Sequence, residues 1–144
     1  MVKAAKKFDL SSLDTIAACT KPVEIEIKHP ATLVGTGVFI SVIGKDAPAY
    51  RNIVRGMADE SLRRQAAGKT AMADTSLDKL EAKNIEALVA ATTGWRDGDD
   101  PALELNGERL EFSPANARKV YAEILPIRDQ VSEAINDLGN FMVA

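Results

Sequence analysis

The chain has 144 residues, 46% apolar and 27% charged, with a formal net charge of -3. That is the composition of a globular protein, long enough for one domain burying roughly two-thirds of its unfolded surface and short for two, and its mild acidity gives no bulk reason to bind nucleic acid. Cys19 and His29 are the only residues of their kinds, which excludes an internal disulfide or a cysteine-based zinc cluster and suits a reducing cytoplasm.

Residues 1–8 read as a loose basic tail and residues 9–144 as a single globular domain. The tail does not continue into a signal peptide, because Asp9, Ser11, Ser12 and Asp14 interrupt the apolar run such a peptide needs. Nor does any stretch of about 18 apolar residues offer a membrane span. Ser11 or Ser12 is expected to cap a short helix in SSLDTIAACT. In PVEIEIKHP, Val23, Ile25 and Ile27 alternate with Glu24, Glu26 and Lys28, the period of a strand with one buried face. The β-branched GTGVFISVIG then pairs back on it, giving an N-terminal antiparallel β-hairpin.

A first long helix follows, with Asp46 as its expected cap, Tyr50, Ile53, Val54 and Met57 on one face, Gly56 as a weak point and Gly68 as its end. The segment ADTSLDKLEAKNIEALVAATTGW predicts a second, capped at Thr75 or Ser76. Leu77, Leu80, Leu88 and Trp95 lie near one stripe, so Trp95, the only tryptophan, is expected to anchor the helix end. Asn106-Gly107 between alternating leucines predicts a small β-hairpin near 102–112. Ser113 followed by Pro114 is a strong helix start, and Pro126 should break that last helix into a kinked pair. Beyond the kink Ile127, Val131, Ile135 and Leu138 keep helical spacing until Gly139. The fold class is therefore α+β and mainly α-helical.

The chemical candidates are weak. Asp97, Asp99 and Glu108 fall at positions one, three and twelve of a calcium-loop count, but Pro101 and Ala102 break it where a ligand and a glycine belong. A lone His29 before Pro30 has no metal-ligand spacing, and no signature pairs it with Cys19 or a serine. Carboxylates on a solvated hairpin lack the burial that tunes an acid and base pair. No metal, cofactor or catalytic residue is expected. Arg51, Arg55, Arg63, Arg64 and Lys69 could serve a small DNA-binding regulator, although Asp59 and Glu60 stand four residues before Arg63 and Arg64 and can offset them.

The run IEALVAATTGWRD, an acidic loop, and then FSPANARKVYAEILPIRDQVSEAINDLGNF resembles the tail assembly chaperones of long-tailed bacteriophages. The front segment IKHPATLVGTGVFISVIGKDAPAYRNI is similar to the same family's strand pair and first helix, so the likeness runs from about Val23 to Phe141 on packing and turn signatures. It implies a protein that is not an enzyme, binds the tape measure protein, helps recruit tail-tube subunits, acts in the host cytoplasm and leaves before the virion matures. Self-association is compatible with that role, and a structural tail or neck subunit retained in the virion is the neighbouring alternative. A chaperone for a long amphipathic helix needs apolar surface that can be covered reversibly. Ile127, Val131, Ile135, Leu138 and Phe141 are the candidate partner-binding residues, although a helical apolar stripe ordinarily faces its own core.

Overall fold

Alternation decides the first half of the fold. In the computed structural model, which describes residues 8–66 and 77–142, a 3-10 turn at Leu10–Leu13 and a short helix α1 (Thr15–Thr20) lead into β1 (Val23–Lys28) and β2 (Gly35–Val42). These pair antiparallel, with Ile25 opposite Ile40 and Val23 opposite Val42. The caps of the two opening turns are Asp9 and Asp14, whose carboxylates accept from the Ser11 and Ala17 N–H groups. Ser11 and Ser12 sit inside the first turn, so an aspartate placed before each turn takes the role expected of a serine.

Helix α2 (Pro48–Ala66) starts two residues after Asp46. The Ala47 carbonyl accepts from Arg51 at 3.0 Å, which makes buried Ala47 the boundary and leaves Asp46 in the preceding turn. Along α2, Tyr50, Ile53 and Met57 are half-buried while Val54 is exposed. The expectations for residues 1–7, Gly68, Lys69, Thr75 and Ser76 lie outside the described residues. No helix among the described residues is long and apolar enough to cross a membrane.

The main departure from the sequence reading comes next. Helix α3 (Leu77–Ala91) stops four residues short of Trp95, and Thr92–Asp97 forms β3, paired antiparallel with β2 to give the sheet order β1-β2-β3. Consecutive β-branched Thr92 and Thr93, a glycine and a tryptophan favour extended backbone, and an open edge of β2 is there to pair with them. Trp95 is thus a strand residue, opposite Ile40 on the inner face. Its indole N–H donates to the Leu110 carbonyl at 3.2 Å, and its ring meets Phe112 edge-on at 5.2 Å. Those contacts join the sheet to the second hairpin, β4 (Ala102–Leu105) and β5 (Glu108–Glu111). Asn106 and Gly107 both have positive φ, 53° and 80°, the turn that suits the twist of a two-residue hairpin.

Helix α4 (Pro114–Glu123) begins at the Ser113 cap, whose Oγ accepts from the Asn116 N–H. Ile124 then leaves helical geometry, and α5 (Leu125–Asn136) restarts with Pro126 in its first turn. A proline there is harmless because its missing N–H had no partner to lose. Helix α5 ends before Leu138, since the Asp137 carboxylate accepts from the Gly139 N–H and draws the chain into a 3-10 turn at Leu138–Asn140. The core lies between the inner face of the three-stranded sheet and helices α3, α4 and α5, with Ile40, Val42, Tyr121, Val131 and Ile135 fully enclosed.

At the helix-to-strand junction Thr92 Oγ1 donates to the Leu88 carbonyl at 2.7 Å and lies 2.6 Å from the Tyr121 hydroxyl. The threonine has one proton and spends it on Leu88, so the Tyr121 hydroxyl is the donor to Thr92. Burial pushes the Tyr121 phenol up to about 12. A folded value above the unfolded one means stability that is intact below about pH 10 and is lost as pH rises towards 12. Tyr121→Phe should cost about 1–2 kcal/mol at pH 7 through the orphaned threonine oxygen. Urea denaturation should show this gap closing and reversing between pH 10 and 12, because only the wild type gives up roughly 2–3 kcal/mol there.

Gly44 has a different reason to be small. Its N–H donates to the Cys19 carbonyl at 2.9 Å, and a Cβ added there would lie 2.3 Å from Cys19 Sγ and 3.0 Å from the Phe141 ring. Gly94 has open space around it. Gly44→Ala is therefore expected to destabilise by about 1–3 kcal/mol through overpacking, whereas Gly94→Ala should change stability by less than about 1 kcal/mol, both read as denaturant midpoints.

Candidate interaction surface

The apolar stripe offered for partner binding is mostly core. Val131 and Ile135 are fully enclosed, Phe141 is buried against the Cys19 and Gly44 corner, and Ile127 and Leu138 are half-buried against the same cluster. The stripe does not stand open to a partner in the folded chain, because the sheet supplies a surface for it. Helical spacing reveals one apolar face but not whether the domain itself covers that face.

What α5 leaves open is its flank beside β1. A groove of about 550 Å³ runs between them, with Ile25, Pro30, Leu33, Pro126 and Ala134 supplying apolar surface. Glu26, Asp129, Glu133 and Asp137 line it as well, against one basic residue, Lys28. Asp129 and Glu133 on α5 and Asp137 just past its end stand at i, i+4 and i+8, adjacent turns of one side. Like charges at that spacing cost a helix a few tenths of a kcal/mol per pair. Asp137 gains its 3-10 bond in return, while no hydrogen bond or ion pair engages Asp129 or Glu133 among the described residues. The spacing of these three acids was the one signal of the groove in the sequence.

The strand side has its own unmet groups. Among the described residues strand β1 pairs only with β2, so its other edge has no strand partner there. The Ile27 carbonyl faces β2, where Thr36 Oγ1 donates to it, and Lys28 faces outward. Alternation of backbone direction therefore turns Glu24 and Glu26 to the free edge as well. At Lys28 the edge is closed by a side chain, since its N–H donates to Gln130 Oε1 at 2.8 Å and its carbonyl accepts from Gln130 Nε2 at 2.7 Å. The glutamine amide stands in for a neighbouring strand there, and among the described residues no such substitute reaches Glu24 or Glu26.

The rim also stores strain. The turn between β1 and β2 is closed by His29 N–H to Val34 O and Leu33 N–H to His29 O, and it holds Leu33 at φ 59° with 71% of its surface exposed. A leucine in the left-handed region pays roughly 1–2 kcal/mol. His29 belongs to this turn, its Nδ1 accepting from the Ala31 N–H.

The acidic loop is occupied by its own contacts. Asp97 and Asp100 exchange backbone hydrogen bonds, the Asp100 carboxylate takes the Arg109 guanidinium, and Glu108 pairs with Lys119 at 3.1 Å. Among the described residues no three His, Cys, Asp or Glu side chains stand close enough together to hold a metal ion. On the outer face of the sheet Arg96 stacks over Phe39 and grips both Glu24 carboxylate oxygens, which holds that carboxyl below its ordinary range.

Searches of protein-family models, of curated proteins and of solved structures find no match to this chain. The groove is thus read from its own chemistry: apolar contact, acidic charge and a partly open strand edge, suited to a segment carrying apolar and basic side chains. Leu33→Asn, which replaces a strained leucine by a residue tolerant of the left-handed region, should raise stability by up to about 1 kcal/mol in thermal or urea melts.

Proposed function

We propose that the chain is a tail assembly chaperone of the kind its sequence resembles, binding the tape measure protein without doing chemistry on it. In this reading it holds that long helical protein soluble in the host cytoplasm, helps recruit tail-tube subunits to it, and departs before the virion matures. The observation that carries the reading is the groove between β1 and α5, where apolar side chains share one open surface with the Asp129 and Glu133 carboxylates, which no ion pair engages among the described residues. Such a surface takes an amphipathic segment by burial and steers it by charge, and it releases that segment without breaking a bond.

Co-expression with the neighbouring tape measure protein should give a soluble complex on size exclusion, and D129K/E133K should lower its yield several-fold while leaving the chaperone folded. The proposal fails if the tape measure protein is equally soluble alone and no complex elutes. Mass spectrometry of purified particles addresses the structural alternative, since a stoichiometric tail or neck subunit would remain in the virion and a chaperone would not.

A second reading draws on α2. Lys45, Arg51 and Arg55 line a hollow of about 400 Å³ with Tyr50 and Val54, and none of these three cations has an ion pair among the described residues. A small DNA-binding regulator would use this face, and its binding would fall steeply with salt and vanish in R51A/R55A.

A further inference from the structure

One face of the molecule carries two sets of unmatched charge side by side. Helix α2 contributes Arg51 and Arg55, one turn apart, with Lys45 just ahead of the helix, and the three line one hollow. Helix α5 contributes Asp129 and Glu133, again one turn apart, with Asp137 just past its end. The two sets share a continuous surface: Tyr50 of the basic hollow also lines a second hollow with Asp129, and Asn136 of the basic hollow adjoins Asp137 of the groove in sequence. Elsewhere charge on the helices is met within the chain, Glu60 by Lys83, Glu81 by Arg128 and Glu86 by Arg118. Among the described residues no ion pair engages Lys45, Arg51, Arg55, Asp129 or Glu133, and the Asp137 carboxylate takes the Gly139 N–H.

A face with a cationic half beside an anionic half is complementary to itself after half a turn, the arrangement of an isologous dimer. We propose that two copies of this chain associate through this face, with α2 of each laid antiparallel along the α5 flank of the other.

Spacing sets the register. Four helical residues rise about 6 Å on either helix, so Arg51 meets Glu133 while Arg55 meets Asp129. This antiparallel alignment also brings Lys45, ahead of α2, towards Asp137, beyond the end of α5, and sets the positive end of one helix dipole beside the negative end of the other. The same register places Ala58 opposite Pro126, two compact side chains where the helices can approach. Val54, 44% exposed between the two arginines, is covered by the contact. Every pairing is made twice by the symmetry. The inference concerns the chain alone and stands apart from the tape measure reading, since R51E/R55E removes the dimer while leaving every groove residue in place.

The test is sedimentation equilibrium on the purified full-length chain without any partner. The wild type should pass from monomer to dimer with rising concentration and grow no further. At about 1 M salt, where the screening length is about 3 Å, it should return to monomer. R51E/R55E and D129K/E133K should each weaken association by at least about tenfold. An equimolar mixture of the two variants should recover it, because the native acids of one meet the native arginines of the other and the reversed charges meet as well. Circular dichroism checks folding, and the neutral versions R51Q/R55Q and D129N/E133Q, which should also weaken association, serve if a reversal unfolds the chain. A wild type that stays monomeric up to about 1 mM would overturn the proposal. So would growth past the dimer, variants that associate as the wild type does, or a mixture that fails to recover.

Discussion

The fold turns on one buried hydrogen-bonded chain, from the Tyr121 hydroxyl to Thr92 Oγ1 and on to the Leu88 carbonyl. It occurs where α3 becomes β3, a point that leaves helix-end carbonyls without partners. Thr92 fills one of them with its own proton, and Tyr121, the largest fully enclosed side chain, completes the threonine from α4. Three elements are thereby fixed at one place. A helix that ran on through Trp95 would leave the sheet with two strands, and a lone two-stranded ribbon is only marginally stable in water. Ending the helix here supplies the third strand and swings Trp95 into contact with the second hairpin.

The position of α5 follows from that arrangement. With β3 in place the inner face of the sheet is broad enough to receive Val131 and Ile135, and the break before Pro126 lets α5 leave the line of α4 to reach it. Burying one side of a helix beside a strand leaves a flank that is neither core nor free surface, and here that flank carries the carboxylates. Ion pairs from Glu81 to Arg128 and from Glu86 to Arg118 tie α3 to α5 and α4 on the other side. The Glu86–Arg118 pair is exposed and worth only about 0–1 kcal/mol, and the Glu81–Arg128 pair is half-buried, so burial more than charge holds the helices.

Much of this was legible in the sequence where a signal was local. The alternation at Val23, Ile25 and Ile27, the Asn106-Gly107 turn, the Ser113-Pro114 start and the Pro126 break each rest on a few adjacent residues, and each stands in the structure. What was not legible depended on distant partners. Helical spacing carried Trp95 into the preceding helix because the free edge of β2 that captures it lies about fifty residues earlier. The stripe from Ile127 to Leu138 looked available because periodicity records an apolar face and not the sheet that covers it. The caps went astray for a smaller reason: Asp9, Asp14 and Ala47 lie within a few residues of the serines and of Asp46, and only backbone geometry decides which one sits at the boundary. The groove had the faintest trace, three acids at helical spacing, because its other wall comes from a strand a hundred residues away.

The grip of Gln130 on Lys28 has a consequence for the behaviour of many copies together. A bare sheet edge is a template on which identical chains can stack without limit, the geometry of fibrils and of disordered aggregates. An amide that imitates a strand at one end of β1 ends the ladder there, and the helix that carries it stands in the path of any long incoming strand. Only a stretch of a few residues remains, enough to hold one short extended segment and too little to seed a growing sheet. The same glutamine that shapes the groove thus also withdraws the Lys28 end of β1 from the edge on which identical chains could stack.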